Sequence, residues 1–179
     1  ASNFITDQAG ADNNGRNLKA TLSLNRLQKL TDKTNILLKF NSQFAADNLD
    51  GGEQFTLGGL NGVRAYTSSE AAGDSGFTTG IEIKRNFFNL PTTIFYDYGK
   101  IRLHKNKWTG WNSTNTELKN TYALKGWGLT MDVPFFNFFN MQLTHSRTIQ
   151  GNSGKDSEGF DVDGLSWDDR TIVSLSKQY

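Results

Sequence analysis

Apolar and polar residues alternate with a period of two in seven separate stretches of this chain. Over residues 17–25 the even positions Leu18, Ala20, Leu22 and Leu24 are apolar, and Asn17, Lys19, Thr21, Ser23 and Asn25 between them are polar. That period predicts a β-strand with one apolar face. Residues 27–33 break the period and read as a short polar connection. The alternation returns over 34–46, with Ile36, Leu38, Phe40 and Phe44 against Asn35, Lys39, Asn41 and Gln43. It returns again over 77–85, 92–102, 121–133, 138–147 and 169–179. In the 92–102 stretch Ile94, Tyr96 and Tyr98 share one face and Phe95, Asp97 and Gly99 the other.

The connections alternate in length. Short ones (27–33, 86–91, 134–137) follow the first, third and fifth strands, and long ones (47–76, 104–120, 149–168) follow the second, fourth and sixth. Hairpins with short turns at one end and long loops at the other are the pattern of a transmembrane β-barrel. A soluble β-sandwich also alternates, but it does not require every second loop to be long. The opposite faces, rich in Asn, Gln, Thr, Lys and Asp, then line a wet interior. The predicted class is all-β, an antiparallel transmembrane barrel of outer-membrane type, with about seven strands here. Phe87 and Phe88 at one short turn and Phe135, Phe136, Phe138 and Phe139 at another stand where an interfacial aromatic girdle would lie.

Composition narrows the function classes. The 179 residues carry a formal net charge of +1 and no Cys. Nucleic acid is not an expected partner, and disulfides and thiol catalysis are excluded. No apolar run approaches the roughly 18 residues of a membrane-spanning helix. No signal peptide is visible at Ala1, which reads as a mature, truncated or cytoplasmic chain. His145 and Ser146 fall on opposite faces of one strand and cannot form a base and nucleophile pair. The acidic stretch 154–169 lacks the ligand spacing of a calcium loop. No enzymatic site, metal or cofactor is expected.

The stretch 53–76 organises the rest. It is Gly-rich and has no strand period, yet it holds Phe55, Leu57, Leu60, Val63 and Tyr66, too apolar for a solvated linker. It therefore reads as a loop that folds inward and packs, and Arg64 sits at its middle. A buried Arg needs a carboxylate, because an unpaired buried charge costs several kcal/mol. Glu82 and Asp97 are the two candidates on the inward faces of the next strands. Gly80, Gly99, Gly126 and Gly128 share that face and leave a bare wall against which a backbone can dock. Pattern alone leaves a second reading open, with Arg64 in solvent and the glycines serving sheet curvature.

Phe55-Thr56-Leu57-Gly58-Gly59, then Val63-Arg64-Ala65-Tyr66, then Glu70-Ala71-Ala72-Gly73-Asp74-Ser75-Gly76 resembles the inward-folded sixth extracellular loop of two-partner secretion transporters. These are the haemolysin-activator (TpsB, ShlB/FhaC/HecB) branch of the superfamily that includes the BamA insertase. Phe95-Tyr96-Asp97-Tyr98-Gly99 resembles that family's F-x-D-x-G strand motif. The resemblance implies that Arg64 pairs with Asp97 inside the barrel, with Glu82 as a second inward carboxylate. Val63, Arg64, Ala65, Tyr66, Glu82, Phe95, Asp97 and Gly99 would then form a lock between loop and barrel. Ala65 stands where the superfamily often has Gly. Val173, Leu175 and Tyr179 resemble the C-terminal barrel-assembly signal, with Lys177 interrupting its apolar face.

The resemblance further implies that residues 1–179 form the C-terminal portion of a 16-stranded barrel. Residues 47–76 would be its inward-folded loop, and the POTRA domains and earlier strands would lie outside this sequence. It implies residence in the outer membrane of a Gram-negative bacterium and export of a large β-helical exoprotein, such as a haemolysin, adhesin or contact-dependent toxin, unfolded in transit. Outer-membrane lipid and the barrel-assembly machinery would be the other partners. The alternative reading is an outer-membrane barrel-assembly factor, or a non-secreting barrel or adhesin.

Overall fold

The computed structural model describes residues 9–12, 18–135 and 139–177. Seven long strands form one sheet, every neighbouring pair antiparallel. They are β1 (Lys19–Thr31), β2 (Thr34–Ala45), β5 (Ser75–Phe87), β6 (Leu90–Arg102), β7 (Thr121–Phe135), β8 (Phe139–Thr148) and β9 (Asp169–Lys177), in that spatial order. Two short strands, β3 (Phe55–Thr56) and β4 (Ala72–Gly73), pair with each other inside the connection from β2 to β5. Each long strand pairs with its sequence neighbours, so the sheet is a meander. Among the described residues β1 and β9 each pair on one side only, and the sheet is open.

The two faces follow the period of two. Leu22, Leu24, Ile81, Ile83, Ile94, Tyr96, Trp127, Val173 and Leu175 are exposed, while the inward Thr78, Glu82, Asp97, Thr130, Thr144 and Ser146 are buried. A water-soluble sheet would bury the first set. Here the apolar set faces out, as in a barrel whose outer wall meets lipid.

Three predicted boundaries shift. The stretch 27–33 is largely strand: β1 runs on to Thr31, where Thr31 faces Thr34 across a two-residue turn, with an irregularity between Lys29 and Thr31. The alternation is lost there because Arg26 and Gln28 occupy the outer face, bonded to each other at 3.2 Å, while Leu27 lies opposite the inward Leu37. The turn predicted at 86–91 contracts to Phe88 and Asn89, because pairing continues to Phe87 opposite Leu90. Both turn residues have positive φ, +50° and +62°, which is the twist that a two-residue hairpin needs. Pairing between β7 and β8 reaches Phe135 opposite Phe139. Phe136 and Phe138 lie outside the described residues.

Candidate functional site

After β2 the chain turns back over the inner face of the sheet. Its base is tied by β3 and β4, and its tip is a compact knot of backbone hydrogen bonds. Val63 N donates to Leu57 O (2.7 Å), Gly62 N to Gly59 O (3.0 Å), Tyr66 N to Val63 O (3.1 Å) and Gly59 N to Tyr66 O (3.0 Å). Gly59 has φ +96°, a value that L side chains rarely adopt, and this lets the chain reverse there. The knot aims Leu57, Val63, Ala65 and Tyr66 at Ile101, Leu103, Tyr122 and Leu124 on the wall, and these form the hydrophobic core of the described residues. The core therefore lies between loop and wall.

Arg64 reaches past that core to two carboxylates. Its Nε and Nη2 donate to Asp97 Oδ2 and Oδ1, each at 2.8 Å, and its backbone N–H adds a third bond to Oδ2 at 3.1 Å. A bidentate guanidinium–carboxylate pair fixes orientation as well as charge. Nη1 lies 2.9 Å from Glu82 Oε1, and the guanidinium carbon stands 3.5 Å from the centroid of the Phe95 ring. Glu82 is also held by Lys39 at 2.6 Å and Lys84 at 3.2 Å. Asp97 and Glu82 are almost wholly buried, so loss of the guanidinium would strand Asp97 without a cation at a cost of about 3–5 kcal/mol. Asp97 and Glu82 thus share Arg64, where the residues alone left either or both open.

The bare wall is a steric match to the loop. A Cβ added to Gly126 would come within 2.5 Å of the Ala65 Cβ, and one added to Gly99 within 2.9 Å of Leu57 Cδ2 and 3.2 Å of Val63 Cγ2. These glycines and Ala65 fit as a set. Ser146, fully buried on β8, donates its hydroxyl to the Arg64 carbonyl at 3.1 Å. His145 points outward and meets Thr171 at 2.9 Å, so neighbouring residues serve opposite faces.

Four buried polar residues that the alternation does not reveal anchor the loop's ends. Asp74 accepts from Leu49 N at 3.1 Å and Gln54 Nε2 at 3.2 Å with one oxygen, and from Lys105 N at 2.7 Å with the other. Asn48 bonds Asn106 twice, through Nδ2 to its O (2.9 Å) and Oδ1 to its N (2.8 Å). Glu70 accepts from Asn152 Nδ2 (2.6 Å) and Val162 N (3.0 Å), which ties this loop to the 149–168 loop. Burial pushes the Glu70 carboxyl above its ordinary value, against those hydrogen bonds, which pull it down. Burial, with the charges of Asp161 and Glu70, raises the Tyr66 phenol. Burial also lowers the His104 imidazole, against the pull of Asp74.

Val173 and Leu175 stand on the outer face of β9, 61% and 57% exposed. Lys177, opposite Phe139, lies on that same face, and Tyr179 lies outside the described residues.

A family model described as "Haemolysin secretion/activation protein ShlB/FhaC/HecB" matches residues 3–133. The chain belongs to this family. Among curated proteins no sequence match is found. Among solved structures this ShlB/FhaC/HecB member is similar to CdiB from Acinetobacter baumannii. The TM-score is 0.53 and the identity 20%, over 89% of this chain and 26% of the CdiB chain. At that identity the likeness concerns the fold, a partial antiparallel barrel. The chain spans about a quarter of the length of that structure.

Proposed function

We propose that this chain is the C-terminal portion of the barrel of an outer-membrane two-partner secretion transporter, and that the Arg64 loop is its conformational element. Strands outside this sequence complete the barrel beside β1 and β9, since an open edge in lipid leaves backbone N–H and C=O groups unsatisfied. POTRA domains on the periplasmic side receive the substrate. That substrate is a large exoprotein, β-helical once folded, such as a haemolysin, adhesin or contact-dependent toxin. It crosses as an unfolded chain and folds outside. The barrel itself is assembled by the cell's barrel-assembly machinery and carries out no covalent chemistry.

The observation that carries this reading is a loop docked on the inner wall of a secretion-family barrel through one guanidinium shared by two buried carboxylates. In that position the loop occupies the conduit. A chain in transit needs it displaced, and the Arg64 cluster sets what displacement costs. The inner wall beside the loop, at Lys39, Asn41 and Thr78, is polar and offers a passing apolar segment little to bind.

The test is secretion by the intact transporter carrying Arg64→Ala or Asp97→Ala. Exoprotein in the medium should fall while the heat-modifiable, folded barrel stays at its usual level in the outer membrane. Wild-type secretion by both variants would refute the role.

A further inference from the structure

The outer wall carries a feature that transport does not use. Near the loop-bearing end, β1, β2, β5 and β6 enclose an outward groove of about 500 Å³. The register sets Leu22, Ser42, Phe77 and Lys100 in one row across the four strands. One step toward the rim, Ala20 lies opposite Phe44. Ala20 and Ser42 are small, so the groove opens between Leu22, Phe44 and Phe77. Phe77 stacks on Phe40 with ring centroids 6.0 Å apart, which stiffens one wall.

Positive charge gathers at the rim end of this apolar groove. Lys100 and Arg102 line it, and the Lys105 ammonium stands 4.5 Å from the Phe44 ring centroid. Arg102 is committed to the loop, with Nε donating to His104 O (3.2 Å) and Nη2 to Lys105 O (2.6 Å). Lys100 and Lys105 are the cations with ammonium groups available. No lining residue is acidic. Lipid chains alone would cover such a groove, but they give no reason for cations at its mouth. An anionic headgroup does, because each basic side chain near a membrane surface attracts it measurably and phosphate oxygens accept from ammonium donors.

We propose that the groove binds one acylated lipid of the outer leaflet whose headgroup carries phosphate. Its chains lie between Phe44 and Phe77, and its phosphates lie against Lys100 and Lys105. The leaflet follows from the long loops facing outward. The proposal rests on the membrane reading of the outer face and is independent of secretion.

The test uses the intact protein extracted from outer membranes into detergent. Native mass spectrometry follows retention of three added probes: bisphosphorylated lipid A, its monophosphoryl form and phosphatidylethanolamine. Wild type should hold lipid A most tightly and the monophosphoryl form less. The double variant Lys100→Glu/Lys105→Glu should weaken lipid A by at least about tenfold and leave phosphatidylethanolamine nearly unchanged. Ser42→Trp fills the groove with both cations in place and should release lipid A as well. Equal retention of lipid A and phosphatidylethanolamine by wild type would overturn the proposal, as would lipid A binding that neither variant alters. If the charge-reversed protein does not insert, Lys100→Gln/Lys105→Gln and Ser42→Trp decide the matter. No exoprotein enters this readout, so its outcome is separate from that of the secretion assay.

Discussion

Gly126→Ala is the smallest change that sets loop against wall. Gly126 is absent from the positive-φ glycines, so its backbone accepts Ala without strain and the whole cost is steric. The new Cβ would sit 2.5 Å from the Ala65 Cβ and 3.2 Å from the Arg147 carbonyl oxygen. The first contact is too close for two carbons, and the loop must withdraw by roughly 1 Å or leave, since carbon atoms settle near 3.5–4.0 Å. Overpacking of this kind costs about 1–3 kcal/mol, which raises the undocked population about 5- to 150-fold. Amide hydrogen exchange in the intact transporter reads that population directly at residues 57–66. Ala65→Gly in the same chain removes the short contact and leaves 3.2 Å to Arg147 O and 3.7 Å to the Ala65 Cα. The double variant should therefore recover protection to within about 1 kcal/mol of wild type, the residue being glycine's extra freedom in the undocked loop. Unchanged exchange in Gly126→Ala would refute the docking argument, and so would a double variant no better than the single.

Two further outcomes follow from the same geometry. Ile81→Arg, on the outer face of β5 opposite Leu38 and Tyr96, should destabilise the barrel in vesicles by about 2–4 kcal/mol if that face lies near the bilayer midplane. A neutral result in denaturant titrations would place the face in water. Glu70 gives a pH dependence of known sign: its folded pKa is raised, so its contribution is fully present below its ordinary value of 4.5 and is lost as pH rises through the folded pKa. Melting curves of wild type minus Glu70→Gln should thus show wild type losing relative stability as pH rises above 4.5. A difference that grows in the opposite direction would contradict the burial of this carboxyl.

Most of the sheet was legible because a run of apolar residues marks the outer face of each strand, as at Ile36, Leu38 and Phe40 on β2 and Trp127, Leu129, Met131 and Val133 on β7. The lapse in β1 has a physical cause: Arg26 and Gln28 satisfy each other on the outer face near the turn, so polarity there stops reporting orientation. The loop's inward course was legible from its apolar content and from Arg64 facing two carboxylates. The core that holds it was not. It lies on the inner face, at Ile101, Leu103, Tyr122 and Leu124, where a wet wall predicts polar residues. The signal was present: after Asp97 and Gly99 the inward series on that strand turns apolar at Ile101, as it must where a loop covers the wall. Ser146, weighed only as a nucleophile, gave no sign of its bond to the Arg64 carbonyl, since that contact spans 82 residues. Asn48, Glu70, Asp74 and Asn152 bond to backbone or to one another across loops, and such partners have no sequence spacing to read.

The measurement that bears most directly on the central claim is the protein content of the culture medium from cells lacking the gene, compared with cells in which the intact gene is restored. One large exoprotein should disappear from the medium on deletion and return on restoration, with other outer-membrane barrels at unchanged levels. An unchanged medium would contradict it, and depletion of many barrels at once would assign the chain to barrel assembly instead.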